Sequence, residues 1–195
     1  TTMTAVIDSC IGGKTGINYK GIINSLGTYY HSKRVYISKN ILNLIPEREF
    51  LAGIPEIIKC GLIHKKSILM KLNNKNKILK RNFSYIAKII KLALKTKIEF
   101  FKGDISEENE RLKLNFGHTF AHAIEMALQS EKRNEIRHGE AVGLGLLCEI
   151  YYAFGKNKDF LLTKKLLEKY KLPTNLKNFI KKNQFNRIKN EIYQN

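Results

Sequence analysis

Three of the chain's five histidines fall in two short glycine-marked segments, Asn115-Phe-Gly-His118-Thr-Phe-Ala-His122 and Arg137-His138-Gly-Glu140. His118 and His122 are four residues apart, so on a helix their rings share one face. His138 follows His118 by 20 residues, enough for a second helix to return past the first. Neutral imidazoles gathered this way suit a metal ion, zinc above all. An open zinc site takes three protein ligands plus water or substrate, and two His with one carboxylate would make a Lewis acid for a hydroxyl. The candidate carboxylates are Glu56, Glu125 and Glu140. Glu56 lies between Ile54 and Ile57-Ile58 in an apolar helical pattern, where a carboxylate needs a partner such as a cation. Glu140 suits a supporting acceptor behind a histidine, and Glu125 an exposed helix position. The His-x-x-x-His spacing is that of a zinc-protease helix, but the Glu such proteases carry directly after the first His is missing. His31 and His64 have no such company and read as structural or exposed.

Asp8-Ser-Cys-Ile-Gly-Gly-Lys14-Thr-Gly-Ile-Asn18 is a second concentration of polar chemistry. It is not a P-loop, because Asp8 stands where the first glycine belongs. It reads as a Gly-Gly turn presenting Lys14 beside Asp8, able to hold a phosphate or a hydroxyl-rich ligand. Lys97, Glu107, Arg111 and Asn115 form a third group. Arg111 and Asn115 are four apart, just before His118, and an Arg fork with an Asn amide suits an anionic, oxygen-rich substrate. Lys59, three residues after Glu56, shares its helical face.

The elements that must position these groups are mostly helices. Arg34-Val-Tyr-Ile-Ser38 is β-branched and aromatic and predicts a strand. From Glu47 to Gly61, apolar residues at 50, 51, 54, 57 and 58 predict a helix that Pro55 kinks or divides. Further helices are predicted near 66–73, 83–102, 115–129 and 138–154, then a basic helical tail broken at Pro173, with an acidic loop over 104–109. The fold class is mainly α, with a small β segment at the start.

Composition narrows the function. The net charge of +18 comes from dispersed lysines, densest at 71–81 and 181–190, without a nucleic-acid motif. It reads as solvated helix faces, so nucleic acid is not an expected partner. Cys10, Cys60 and Cys148 form no Cys-x-x-Cys pair and no disulfide framework, which fits a reducing, cytoplasmic setting. No apolar run approaches the ~20 residues of a membrane span, so no membrane partner is expected.

Four blocks of the chain resemble the 3-dehydroquinate synthase family. Asp8 to Asn18 looks like its Asp-Ser-x-x-Gly-Gly-Lys-Thr-x-x-Asn. Leu51-Ala-Gly-Ile-Pro-Glu56-Ile-Ile-Lys59-Cys-Gly61 looks like its Ala-Gly-x-x-Glu-x-x-Lys-Tyr-Gly. Leu114 to Glu125 and His138-Gly-Glu-Ala-Val142 are similar to its zinc blocks. The resemblance covers residues 1–155 and implies zinc, or another divalent ion such as cobalt, on Glu56, His118 and His138, which turns His122 into a substrate-side residue. It implies substrate contacts at Asp8, Lys14, Asn24, Lys59, Lys97, Arg111, Asn115 and His122. Lys14, Asn24 and His122 would surround a phosphate, Lys97, Arg111 and Asn115 would hold a carboxylate, and Asp8 and Lys59 would orient hydroxyls. NAD contacts are implied at Thr1, Thr2, Lys14, Ile41, Leu42, Asn43 and Leu44.

The implied reaction converts 3-deoxy-D-arabino-heptulosonate 7-phosphate to 3-dehydroquinate and phosphate, a step of aromatic amino-acid biosynthesis. The family's N-terminal Rossmann-like half is expected to lie largely outside these residues. Residues 1–45 are therefore expected to be a remnant of the NAD-binding α/β domain and 46–195 the helical zinc- and substrate-binding domain. The chain is expected to be part of a longer, homodimeric enzyme and inactive alone. Ile23, Leu44, Pro55, Cys60 and Ala121 depart from the family pattern, the first two at cofactor-contacting positions.

Overall fold

The structure, a computed structural model, describes residues 2–20, 22–102, 104, 107–129, 136–177, 179 and 185–194. Thr1 lies outside the described residues. A short π-helical turn at Ala5–Ser9 is followed by an antiparallel hairpin of β1 (Ile17–Tyr19) and β2 (Ile22–Leu26), with Ile17 opposite Leu26 and Tyr19 opposite Ile22. The rest is helical: α1 (Lys39–Leu44), α2 (Glu47–Leu51), α3 (Ile54–Ile63), α4 (Ser67–Lys71), α5 (Lys75–Leu79), α6 (Phe83–Phe101), α7 (His118–Gln129), α8 (His138–Phe154), α9 (Lys158–Lys169) and α10 (Phe185–Gln194). A 3-10 turn at Glu110–Asn115 leads into α7.

The mainly α reading holds, but the strand expected at 34–38 does not form. That segment runs unpaired into α1, and the sheet lies instead in the glycine-dotted stretch before it. A β-branched run becomes a strand only when a neighbour supplies ladder hydrogen bonds. Pro55 divides its helix as expected: α2 ends at Leu51, and α3 restarts with Pro55 in its first turn, where the missing N–H has no helical acceptor to lose. On α6, Ile86, Ile89 and Ile90 are buried, whereas Ile98 is exposed.

The helix α3 runs through the centre. Residues 54–61 are all buried, with α4, α6, α8 and α9 packed around them. Glu56 and Lys59 are therefore carried on a helix that shows no face to water. The helix α8 is buried from Gly139 to Leu147 and crosses α7 closely, because a Cβ on Gly145 would stand 1.9 Å from the Gly117 carbonyl oxygen. This small-residue crossing sets the start of α7 against the middle of α8, and the His118 and His138 rings meet with centroids 5.4 Å apart. Among the described residues, no helix is long and apolar enough to cross a membrane.

Candidate metal and anion site

Glu56, His118 and His138 converge, each offering a ligand atom within 4.8 Å of the others. The Glu56 side chain is 1% exposed, and its Oε1 lies 3.6 Å from His118 Nε2 and 3.6 Å from His138 Nε2. That oxygen accepts no hydrogen bond, although burying a polar atom without a partner costs about 1–3 kcal/mol. The opposite ring nitrogens are engaged: His118 Nδ1 is 3.3 Å from the Phe116 carbonyl, and His138 Nδ1 is 3.0 Å from Glu125 Oε1. The Phe116 carbonyl holds a proton on His118 Nδ1 and leaves its Nε2 lone pair free, and both Nε2 atoms face the orphaned oxygen. Two imidazole nitrogens and one carboxylate oxygen, with an open side, fit a divalent metal such as zinc.

Electrostatics agree with a site shaped for a cation. Burial alone would raise the Glu56 carboxyl, but the neighbouring Lys59 ammonium and the two histidines outweigh it and hold it well below the usual range. Lys59, 2.6 Å from Glu56 Oε2, is fully buried, and the Glu56 charge overcomes desolvation to keep it protonated. Desolvation, then the Lys59 charge, pulls His118 down to about 3, so its ring is neutral and able to ligate at neutral pH. His138 is lifted to about 10: burial opposes the charged ring, but Glu125 and Glu56 more than compensate. A metal cation at this point would replace that proton's charge.

Neither supporting carboxylate takes the role expected of it. Glu125, expected on an exposed face, is the acceptor behind His138. Glu140, expected to back a histidine, is instead held by a two-point fork from Arg48 at 2.8 Å on each oxygen and takes the Arg137 amide at 3.0 Å. Glu140 thus ties the start of α8 to α2, beside Arg137, which pairs with Glu49. Glu125 sits three residues after His122 and seven after His118, so helical spacing already placed it on the site's face. Arg48 gave no such sign, since its partner lies 92 residues away.

A cavity of about 290 Å³ opens next to the histidines. Asp8, Lys14, Asn24, Lys97, Arg111, Asn115 and His122 all line it, together with Glu107, Glu125, His118 and His138. Lys97 Nζ is 2.7 Å from Asp8 Oδ1, and Lys14 pairs with Glu107. Arg111 is buried over the Phe101 ring, donates from Nη2 to the Gly12 carbonyl at 3.0 Å, and has Nε 3.6 Å from Glu107. Asn115 donates to the other Glu107 oxygen at 2.7 Å. Asp104 shapes the turn that presents Glu107 and Arg111 by accepting from the amides of residues 108, 109 and 111. Burial lowers His122 below its ordinary value, leaving a neutral ring on the cavity wall. Lys59 does not line this cavity; its ammonium is spent on Glu56.

Of the residues expected to touch NAD, Lys14 lines this cavity, Thr1 is outside the described residues, and Thr2 and residues 41–44 lie elsewhere. Ile41 and Leu42 line a separate cavity of about 150 Å³ with Ala5, Val6 and Cys10. Leu42 is also part of the core, and the carbonyls of residues 42, 43 and 45 are taken by Arg81, which closes the end of α1. Leu44 is 81% exposed. The Thr2 hydroxyl accepts from the Ala5 amide, starting the π-helical turn.

The fold matches that of two solved synthases. A 2-epi-5-epi-valiolone synthase from Streptomyces hygroscopicus subsp. jinggangensis, with NAD+ and Zn2+ bound, superposes with a TM-score of 0.82 at 22% identity over 99% of this chain and 53% of that one. A 2-deoxy-scyllo-inosose synthase complexed with carbaglucose-6-phosphate, NAD+ and Co2+ gives 0.77 at 24% identity over 100% and 53%. The sequence narrows the class: residues 53–194 match the family described as 3-dehydroquinate synthase C-terminal and residues 1–52 the one described as 3-dehydroquinate synthase N-terminal. The chain belongs to the 3-dehydroquinate synthase family. The 3-dehydroquinate synthase of Dictyoglomus thermophilum is 44% identical over 79% of this chain and 43% of its own length, and that of Clostridium tetani 38% over 91% and 48%. The chain thus spans about half the length of these curated relatives.

Proposed function

We propose that this chain is the metal- and substrate-binding part of a 3-dehydroquinate synthase, converting 3-deoxy-D-arabino-heptulosonate 7-phosphate to 3-dehydroquinate and phosphate. The observation that carries the reading is the buried, unpartnered Glu56 Oε1 facing two histidine Nε2 atoms on the edge of a cation-lined cavity. The named relatives at 44% and 38% identity supply the reaction. In this reading residues 46–195 form the zinc- and substrate-binding domain and residues 1–45 belong with an NAD-binding α/β domain. The whole enzyme works as a cytoplasmic homodimer without a nucleic-acid partner.

Glu56, His118 and His138 would hold zinc, or cobalt in its place. When bound, the metal supplies Lewis acidity to a substrate hydroxyl and NAD a reversible hydride acceptor. The chain's own residues bind and orient. Lys14, Asn24 and His122 face the phosphate; Lys97, Arg111 and Asn115 face the carboxylate; Asp8 accepts from a hydroxyl. His122, neutral and on the cavity wall, is able to take up or return a proton at its ring nitrogen. Lys59 acts one step back, keeping Glu56 ionised. Thr1, Thr2, Lys14 and residues 41–44 would meet NAD.

Two measurements test this. Elemental analysis should find about one zinc per chain in the purified protein and none in His138→Ala. The natural gene product, given the heptulosonate phosphate and NAD, should release inorganic phosphate without accumulating NADH. Accumulating NADH would point instead to a polyol dehydrogenase. Turnover of sugar phosphates lacking a carboxylate would point to a related cyclase, for which Lys97 and Arg111 have no anion to grip.

A further inference from the structure

The helix that carries His118 has no cap of its own. Helices usually begin on a Ser, Thr, Asp or Asn whose side chain accepts the amides two and three residues on. At the start of α7 that position is Gly117, with φ +85, and a Cβ there would meet the Leu146 side chain at 2.9 Å. A side chain is excluded, so the amides must be satisfied from elsewhere. Glu149 of α8 supplies the acceptor. Its Oε2 takes the Gly117 amide at 2.7 Å, and its carboxylate lies near enough to the Thr119 and Phe120 amides for their dipoles to favour its charge. Its other oxygen, Oε1, is buried without a partner. The carboxylate also matches the positive end of the helix.

Glu149 is on the helix that begins with His138, eleven residues later. Eleven residues are close to three whole turns, so His138, Gly145 and Glu149 form one stripe along α8. Gly145 gives α7 its close approach on that stripe, and Glu149 grips its first turn. One face of one helix therefore sets where both histidines stand.

We infer that Glu149 is a positioning residue for the candidate metal site: by capping α7 from α8, it fixes His118 relative to His138 and Glu56. This rests on the metal reading of those three residues. The test uses the full chain with Co2+ as the probe, read by its visible ligand-field bands, and amide hydrogen exchange on the metal-free protein. Glu149→Ala should weaken Co2+ binding about 10- to 100-fold, the usual effect of losing a group behind a ligand, and alter the bands. It should also speed exchange at Thr119 and Phe120 while leaving α9 unchanged. Glu149→Gln keeps an acceptor and should recover most of both. If the alanine variant does not fold, Glu149→Asp replaces it, too short to reach, with affinity expected in the order Glu, Gln, Asp. Parent-like Co2+ affinity and bands in Ala or Asp overturn the inference, as does unchanged exchange at the start of α7. A parent chain that binds no Co2+ sinks the metal reading itself, and exchange then decides the cap independently.

Discussion

The two sides of the site are built differently. The metal corner stands on α3, α7 and α8, where Glu56 and Lys59 are 1% and 2% exposed and the neighbours are core side chains. The anion wall stands on the turn around Lys14, the two-strand hairpin, the 3-10 turn before α7 and Lys97 of α6. There Lys14 is 46% exposed and Asn24 sits in an exposed strand at φ 51, whereas Lys97 and Arg111 are buried and paired with Asp8 and Glu107. In the first region geometry is imposed by helix packing, so charges are desolvated and interactions are strong. In the second, water screens Lys14 and the hairpin, and Lys14 is free to exchange its present carboxylate partner for a substrate's. A metal ligand set gains from rigidity, whereas a surface that must admit and release an anion gains from weak, replaceable pairs.

The sharpest way to break this contrast is Lys59→Met. Removing one member of a buried ion pair leaves an uncompensated charge, so a loss of about 3–5 kcal/mol is expected in urea unfolding. Added Zn2+ should restore part of it, because the metal supplies the missing positive charge. A loss below about 1 kcal/mol would place the pair with the exposed ones. Next is His118→Ala, which should lower zinc affinity by more than about 100-fold, beyond the cost of losing a supporting group; competition with a chelator dye measures it. Gly145→Ala, which drives a Cβ into the Gly117 carbonyl, should cost about 1–3 kcal/mol and weaken zinc binding as the helices part. On the anion wall the effects shrink. Lys14→Ala should change stability by no more than about 1 kcal/mol while weakening binding of phosphate anions in a salt-dependent manner.

The smallest expected effect concerns pH. Burial would raise the Asp104 carboxyl, but the amides of Arg111, Glu108 and Asn109 outweigh it and hold it below its ordinary value. Its contribution is therefore complete above its unfolded pKa of about 3.9 and is lost as pH falls through the lower folded value. Asp104→Asn should flatten that part of the acid-unfolding curve, and a curve unchanged from the parent would remove Asp104 from the loop's support.

Much of the helical fold was legible because apolar periodicity and Pro55 act locally: α2, α3, α6, α7 and α8 fall where the spacing put them. Helix α5 was missed, being five residues capped by Asn74 in a lysine-rich stretch with little apolar pattern. The strand misplaced at 34–38 shows the limit of propensity when pairing decides. Among site groups, the 118–122 spacing and the buried context of Glu56 were visible in the chain. The pairing of Arg48 with Glu140 and of Glu125 with His138 was not, since a sequence does not say which of several carboxylates a helix crossing will bring near which ring.

The sequence by itself determined that the chain is helical, that Glu56 sits on an apolar helix and needs a cation, and that His118 and His122 share a face. These follow from 3.6-residue periodicity and the cost of burying charge. Spacing alone left His122 and His138 both open, and the family resemblance implied His138; the tertiary structure decided that His118 and His138 each stand 3.6 Å from Glu56 Oε1 and that the cations of distant segments line one cavity. The physical reason is the close crossing of α7 and α8 at Gly117 and Gly145, a contact between distant residues that no local pattern encodes.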